Sequence, residues 1–144
     1  MTISMILWLA SMLPRPLASQ TCLATTVYLE ARNQPVIGQM AVAEVALRRL
    51  TQGHWGKTLC AVVTQPHQFA PTLLPPSFEI TNLSAFQKAW NVAGQSITNW
   101  HLPPSKRHLV VPHADHFATI AVSPSWERHH TGVTIGYHTF YALN

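Results

Sequence analysis

The 144-residue sequence predicts an α+β fold, with helices first and a small antiparallel sheet last. Two observations carry that prediction. Apolar residues recur at steps of three and four in the first hundred residues, most clearly at Leu83, Phe86, Trp90, Ala93 and Ile97. Beyond "NWHLPPSKRH" the character changes to "HLVVPH", "FATIAVS" and "GVTIGYHTFYAL", whose β-branched and aromatic residues suit short strands.

The elements follow in order. The apolar run from Ile3 to Leu13, closed by Pro14 and Pro16, is too short to span a bilayer but matches the length of a signal-peptide core. "PLAS" offers small residues for cleavage near Ala18, whereas no Lys or Arg precedes the run. Residues 1–20 are therefore set apart as a signal peptide, anchor or packing helix, and 21–144 as the working domain. A first helix starts near Ser19 or Thr21, both good caps, and runs to about Asn33, where Pro35 and Gly38 interrupt it. "GQMAVAEVALRRL" makes a second helix, with Met40, Ala41, Val45 and Leu47 on its apolar side and Gly53 beyond its end. "TLCAVVTQ" suits helix or strand, and the proline-rich "HQFAPTLLPPSFEITN" reads as loop. Asn82 or Ser84 caps the third helix.

Composition narrows the function. Hydrophobic residues make up 47% and charged residues 10%, with a net charge of +4. A modest basic excess suits an anionic polymer. The basic residues are scattered apart from Arg48-Arg49 and Lys106-Arg107, so no arginine-rich stripe supports nucleic-acid binding. Cys22 and Cys60 would pair in an exported protein and stay as buried thiols in a cytosolic one; the residues alone leave both open.

Glu30, in "TVYLEARNQP", is one of five acids and sits among apolar neighbours. A buried carboxylate escapes its desolvation penalty by taking a partner or by staying protonated, and a protonated carboxyl is what a general acid requires. Thr26 lies one turn before it as a hydrogen-bond donor; Arg32, two residues on, points elsewhere. No second carboxylate accompanies Glu30: Glu44 comes 14 residues later, about 21 Å away on a continuous helix. A glycosidase using water or a covalent intermediate needs two carboxyl groups roughly 5–9.5 Å apart, whereas a substrate that supplies its own nucleophile needs one. "VPHADH" places His113, Asp115 and His116 together, with His129 and His130 later, which raises a zinc amidase or peptidase as a rival. Such short patterns arise by chance, and no metal is assigned. Of the tryptophans, Trp90 lies on a core stripe, and Trp126 suits either core or sugar stacking.

The blocks "CLATTVYLEARNQPVIGQMAVAEVALRRL" and "LCAVVTQPHQFA", a late tryptophan and "IGYHTFY" resemble the SleB-type cell wall hydrolase family over residues 22 to 141. That family includes spore cortex-lytic proteins, bacterial wall hydrolases and phage lysins. The resemblance implies a lysozyme-like α+β fold and lytic transglycosylase activity on peptidoglycan glycan strands, without a cofactor. It makes Glu30 the single general acid/base, which matches the missing second acid. It also implies substrate contacts at Gln39, Gln68, Phe69, His113, Trp126 and His138, with Gln39 and Gln68 bonding acetamido and hydroxyl groups and Phe69 and Trp126 lining the groove. Cys22 and Cys60 fall in matched blocks and are expected to meet. The implied location is exported, at periplasm or wall, or in a phage virion, with residues 3–13 as the segment for membrane or virion association. Two departures stand out: Ala70 where the family has Ser or Thr, and Val110-Val111 where it has aromatic residues. They motivate the other rival, a wall-binding or virion-associated structural protein that has lost turnover.

Overall fold

A computed structural model describes residues 1–121, 124 and 130–144. Six α-helices form the larger lobe: α1 (Ile3–Ser11), α2 (Arg15–Ala31), α3 (Val36–Gln52), α4 (Leu59–Val63), α5 (Ala70–Leu73) and α6 (Leu83–Trp100). After a 3-10 turn at Pro104–Lys106, the described residues hold three strands: β1 (His116–Thr119), β2 (Val133–Ile135) and β3 (His138–Tyr141). The sheet is antiparallel, in the order β1-β3-β2, with Phe117 opposite Phe140 and Ile135 opposite His138.

Helix α2 is the axis of the fold, because α1, α3, α4, α5 and α6 all pack on it. Every residue from Cys22 to Leu29 is consequently buried, polar ones included. Thr25 and Thr26 are reconciled with that burial by donating to the carbonyls of Thr21 and Cys22, one turn back. Thr26 is thus turned to its own helix rather than to Glu30. The helix begins at Arg15, earlier than the Ser19 or Thr21 caps suggest, since Pro16 fits the first turn, where its missing N–H is no loss. A boundary at residue 20 therefore divides a continuous helix. The residues before it pack on the same core: Ile3, Ile6 and Ala10 are buried, and the Met1 ammonium meets Glu79 at 3.0 Å. Among the described residues, no helix is long and apolar enough to cross a membrane.

Helix α3 ends as expected at Gly53, whose φ of 85° is the left-handed region glycine favours. Its burial goes beyond a single stripe, with Val42, Ala43 and Ala46 as enclosed as Ala41 and Val45, because neighbours lie around it. In α6, Asn82 is the cap and accepts from the Ala85 amide. Leu83, at the start of the apolar stripe, is 77% exposed on the rim of an apolar groove that also runs past Phe86 and Trp90.

Two segments differ from the expectation. The proline-rich loop contains the one-turn helix α5, with Pro71 in its first turn. "HLVVPH" is irregular rather than a strand, because the amides of Val110 and Val111 are both taken by the Glu44 carboxylate, at 2.7 and 2.9 Å, and Pro112 has none to give. Cys22 and Cys60 form a disulfide, with an S–S distance of 2.11 Å and Cα atoms 5.2 Å apart, tying α2 to α4.

Candidate functional site

Glu30 occupies the last turn of α2, where the helix leaves the core and its side chain becomes partly accessible. Two other elements reach it. From α5 comes the Ala70 amide, which donates to the Glu30 carboxyl, and from α3 comes the positive charge of Arg49. Burial nevertheless dominates and pushes the Glu30 pKa up to about 7, against the pull of that amide and that cation.

Arg49 is 3% exposed and held from several sides. Its Nε donates to the Asp115 carbonyl at 2.7 Å and its Nη1 to Gln68 Oε1 at 3.2 Å. The guanidinium lies 4.1 Å from the Trp55 ring centre and 4.9 Å from that of Phe69. Burial lowers its pKa to about 10, opposed by Asp115 and Glu30, so it remains a cation at neutral pH. Sequence reasoning passed over this residue. The available signal was its register: Arg49 follows the buried Ala41 and Val45 at four-residue steps, so a charge ends a core stripe and demands a partner.

Asp115 is fully buried behind Arg49. Burial alone would raise its pKa, but hydrogen bonds from His116 Nδ1, Gln52 and the amides of Leu143 and Asn144 hold it well below the usual carboxylate range. His116 is kept neutral chiefly by burial, which lowers its pKa despite Asp115. The other acids are equally committed. Glu44 binds the Val110 and Val111 amides, and Glu79 pairs with the N-terminus. Among the described residues, then, Glu30 is the carboxyl group without a structural bond to a cation or to several amides; Glu127 lies outside them.

The residues expected to bind substrate separate into groups. Gln68 is exposed and bonded to Arg49, the cation whose charge acts on Glu30. Phe69 and Gln39 are each 0% exposed, so a glycan cannot reach either. Phe69 packs between Arg49 and Phe117, and the Gln39 amide bonds the Gln34 carbonyl at 3.4 Å. His138 is buried edge-on against Phe117 at 5.3 Å, where burial lowers its pKa. His113 stands exposed in the turn before β1. Trp126 and His129 lie outside the described residues. The two departures also find their places. Ala70 contributes its backbone amide, which any residue but proline would supply, and Val111 is core. His113, Asp115 and His116 form no ligand set: among the described residues, no three His, Cys, Asp or Glu side chains come together to hold a metal.

A carboxyl group that titrates near neutrality, with an amide donor and a fixed cation beside it, can release a proton and then take one back. The cation and amide stabilise the carboxylate between the two transfers, and burial keeps it basic enough to recover its proton.

Comparison with known proteins identifies the family and the fold. The profile of a family described as cell wall hydrolase matches residues 33–141, beginning just after Glu30. Spore cortex-lytic enzymes of Bacillus cereus are 40% identical over 47 residues, which cover 33% of this chain and 18% of theirs. The match thus spans less than a fifth of those relatives. The catalytic domain of the Bacillus cereus SleB protein superposes with a TM-score of 0.65 at 24% identity, covering 85% of this chain and 88% of that one. The catalytic domain of the germination-specific lytic transglycosylase SleB from Bacillus anthracis gives 0.64 at 24%, covering 85% and 93%. The shared architecture is the lysozyme-like α+β fold, a helical lobe followed by a small antiparallel sheet.

Proposed function

Because the chain belongs to the cell wall hydrolase family, we propose that it is a peptidoglycan lytic transglycosylase with Glu30 as its single general acid/base. The observation that carries this reading is a lone carboxyl whose pKa is raised to about 7 while the other described acids are tied to amides or to the N-terminus.

The reaction follows from that chemistry. Protonated Glu30 gives its proton to the oxygen joining N-acetylmuramic acid to N-acetylglucosamine, and the C1–O bond breaks to an oxocarbenium-like state. The Glu30 carboxylate, steadied by the Ala70 amide and by Arg49, then takes the proton of the muramyl C6 hydroxyl. The O6 atom closes on C1, giving the 1,6-anhydro ring and returning Glu30 to its protonated form. One proton leaves the enzyme and one comes back; no water is consumed. Gln68 is assigned the polar groups of the sugars, a role supported by its exposure and its bond to Arg49. Trp126 is retained as a stacking residue from the resemblance alone.

The enzyme acts at the wall, outside the reducing cytoplasm. The Cys22–Cys60 disulfide supports that location, because such bonds persist in oxidising compartments. The catalytic unit comprises the whole of α2 and all that follows, with α1 packed on the same core. A zinc amidase gains no support, since the Asp115 oxygens are already bonded.

Clearing of purified cell wall by the wild type and by Glu30→Gln tests the proposal. The amide is nearly isosteric and cannot deliver a proton, so clearing should stop while the fold persists. A Glu30→Gln protein that clears wall at the wild-type rate would overturn the assignment.

A further inference from the structure

Glu30 is followed, four residues on, by Gln34, which is 5% exposed although it lies in the connection between α2 and α3. The chain stays turned here, with the Gln34 amide on the Ala31 carbonyl at 2.9 Å, so the two backbones are about 6 Å apart along the helical path. The Gln34 side chain reaches across to the sheet. Its Oε1 accepts from the Tyr137 amide at 2.8 Å, at the tip of the β2–β3 hairpin. Gly136 makes this contact feasible in two ways. Its φ is +60°, and a Cβ there would collide with Gln34 Oε1. From the other side, the Ile120 amide donates to the Tyr137 carbonyl at 2.9 Å. Both polar backbone atoms of Tyr137 are therefore fixed by distant parts of the chain, yet the residue itself is 61% exposed.

An aromatic side chain left in solvent on so firmly anchored a backbone is available to stack on a partner without first being ordered. Its position says for what. The inner face of the sheet packs through Phe117 on Phe69, the neighbour of the Ala70 amide at Glu30. The hairpin tip joins the chain through Gln34, so Tyr137 is held on a hairpin tied to the chain four residues beyond Glu30.

We propose that Tyr137 is a sugar-stacking contact for the glycan strand and that Gln34 is the positioning residue that holds it. This rests on the proposed glycan substrate but not on the reaction type. The apolar face of a pyranose ring lies against an aromatic ring, and fixing the backbone beforehand reduces the ordering needed on binding.

Sedimentation with purified peptidoglycan tests it, in the Glu30→Gln background so that binding is read without cleavage. Tyr137→Ala should weaken the apparent Kd by about threefold to tenfold, the range of a stacked aromatic contact. Tyr137→Phe should bind like the parent, since the ring remains. Gln34→Ala should weaken binding similarly and add little in combination with Tyr137→Ala, because both remove one contact. An unchanged Kd for Tyr137→Ala, or a parent protein that does not bind the wall at all, overturns the proposal. Independent effects of the two alanines overturn the positioning role. Products from the wild type report separately on the reaction: reducing ends would refute the transglycosylase while leaving a tyrosine-dependent Kd intact.

Discussion

Replacing Glu30 by Gln should stabilise this protein, and only at high pH. Burial raises the Glu30 pKa from 4.5 to about 7, so the folded state holds the proton more tightly than the unfolded chain. Between those values the native protein carries more protons, and the slope of unfolding free energy with pH is negative. The contribution of Glu30 is therefore fully favourable below 4.5 and is lost as pH rises through 7. At 1.36 kcal/mol for each pH unit, the loss approaches about 3 kcal/mol as an upper bound. Gln carries no charge to bury and keeps an oxygen for the Ala70 amide. Urea denaturation with the disulfide intact should give equal stability for wild type and Glu30→Gln near pH 4.5. By pH 8 the variant should be ahead by about 2–3 kcal/mol. Other titrating groups are common to both proteins and cancel in the difference. A gap independent of pH, or a wild type more stable than the variant at pH 8, would refute the buried-acid argument.

Removing the disulfide by Cys22→Ala with Cys60→Ala should cost about 4 kcal/mol by loop-closure entropy across a separation of 38 residues, read by denaturant titration against the oxidised wild type. Glu44→Gln leaves one of the Val110 and Val111 amides without its partner; about 1–3 kcal/mol should be lost, with faster hydrogen exchange confined to those amides. EDTA should leave wall clearing unchanged, because Glu30 chemistry asks nothing of a metal; zinc-restorable loss would return the amidase reading to contention.

The helices were legible because their signals are local. Period, caps and punctuation placed α3 and α6 to within a few residues and Gly53 marked the end of α3, while α2 was found but begins earlier than its capping residues suggest. Glu30 stood out for the same reason, as a rare acid in an apolar helix. What surrounds it was not legible, since the Ala70 amide, Arg49 and Asp115 come from elements 19 to 85 residues away in sequence. Phe69 and Gln39 illustrate the other difficulty: membership of a matched block does not say whether a side chain meets the sugar or supports its neighbours, and both are in the core. Val110-Val111 misled because β-branched composition suits a strand, whereas the Glu44 carboxylate takes the amides a ladder would need. A carboxylate acting at that distance leaves no trace in local periodicity.

The central claim is that one carboxyl group, Glu30, cleaves the glycan without water. Mass spectrometry of muropeptides released from purified peptidoglycan tests it most directly. Wild-type digests should end in 1,6-anhydromuramic acid, 18 Da lighter than the hydrolysed product by the mass of one water, roughly, and Glu30→Gln should release none. Muramic acid with a free reducing end would mean that water is the nucleophile and that a second catalytic group has been overlooked.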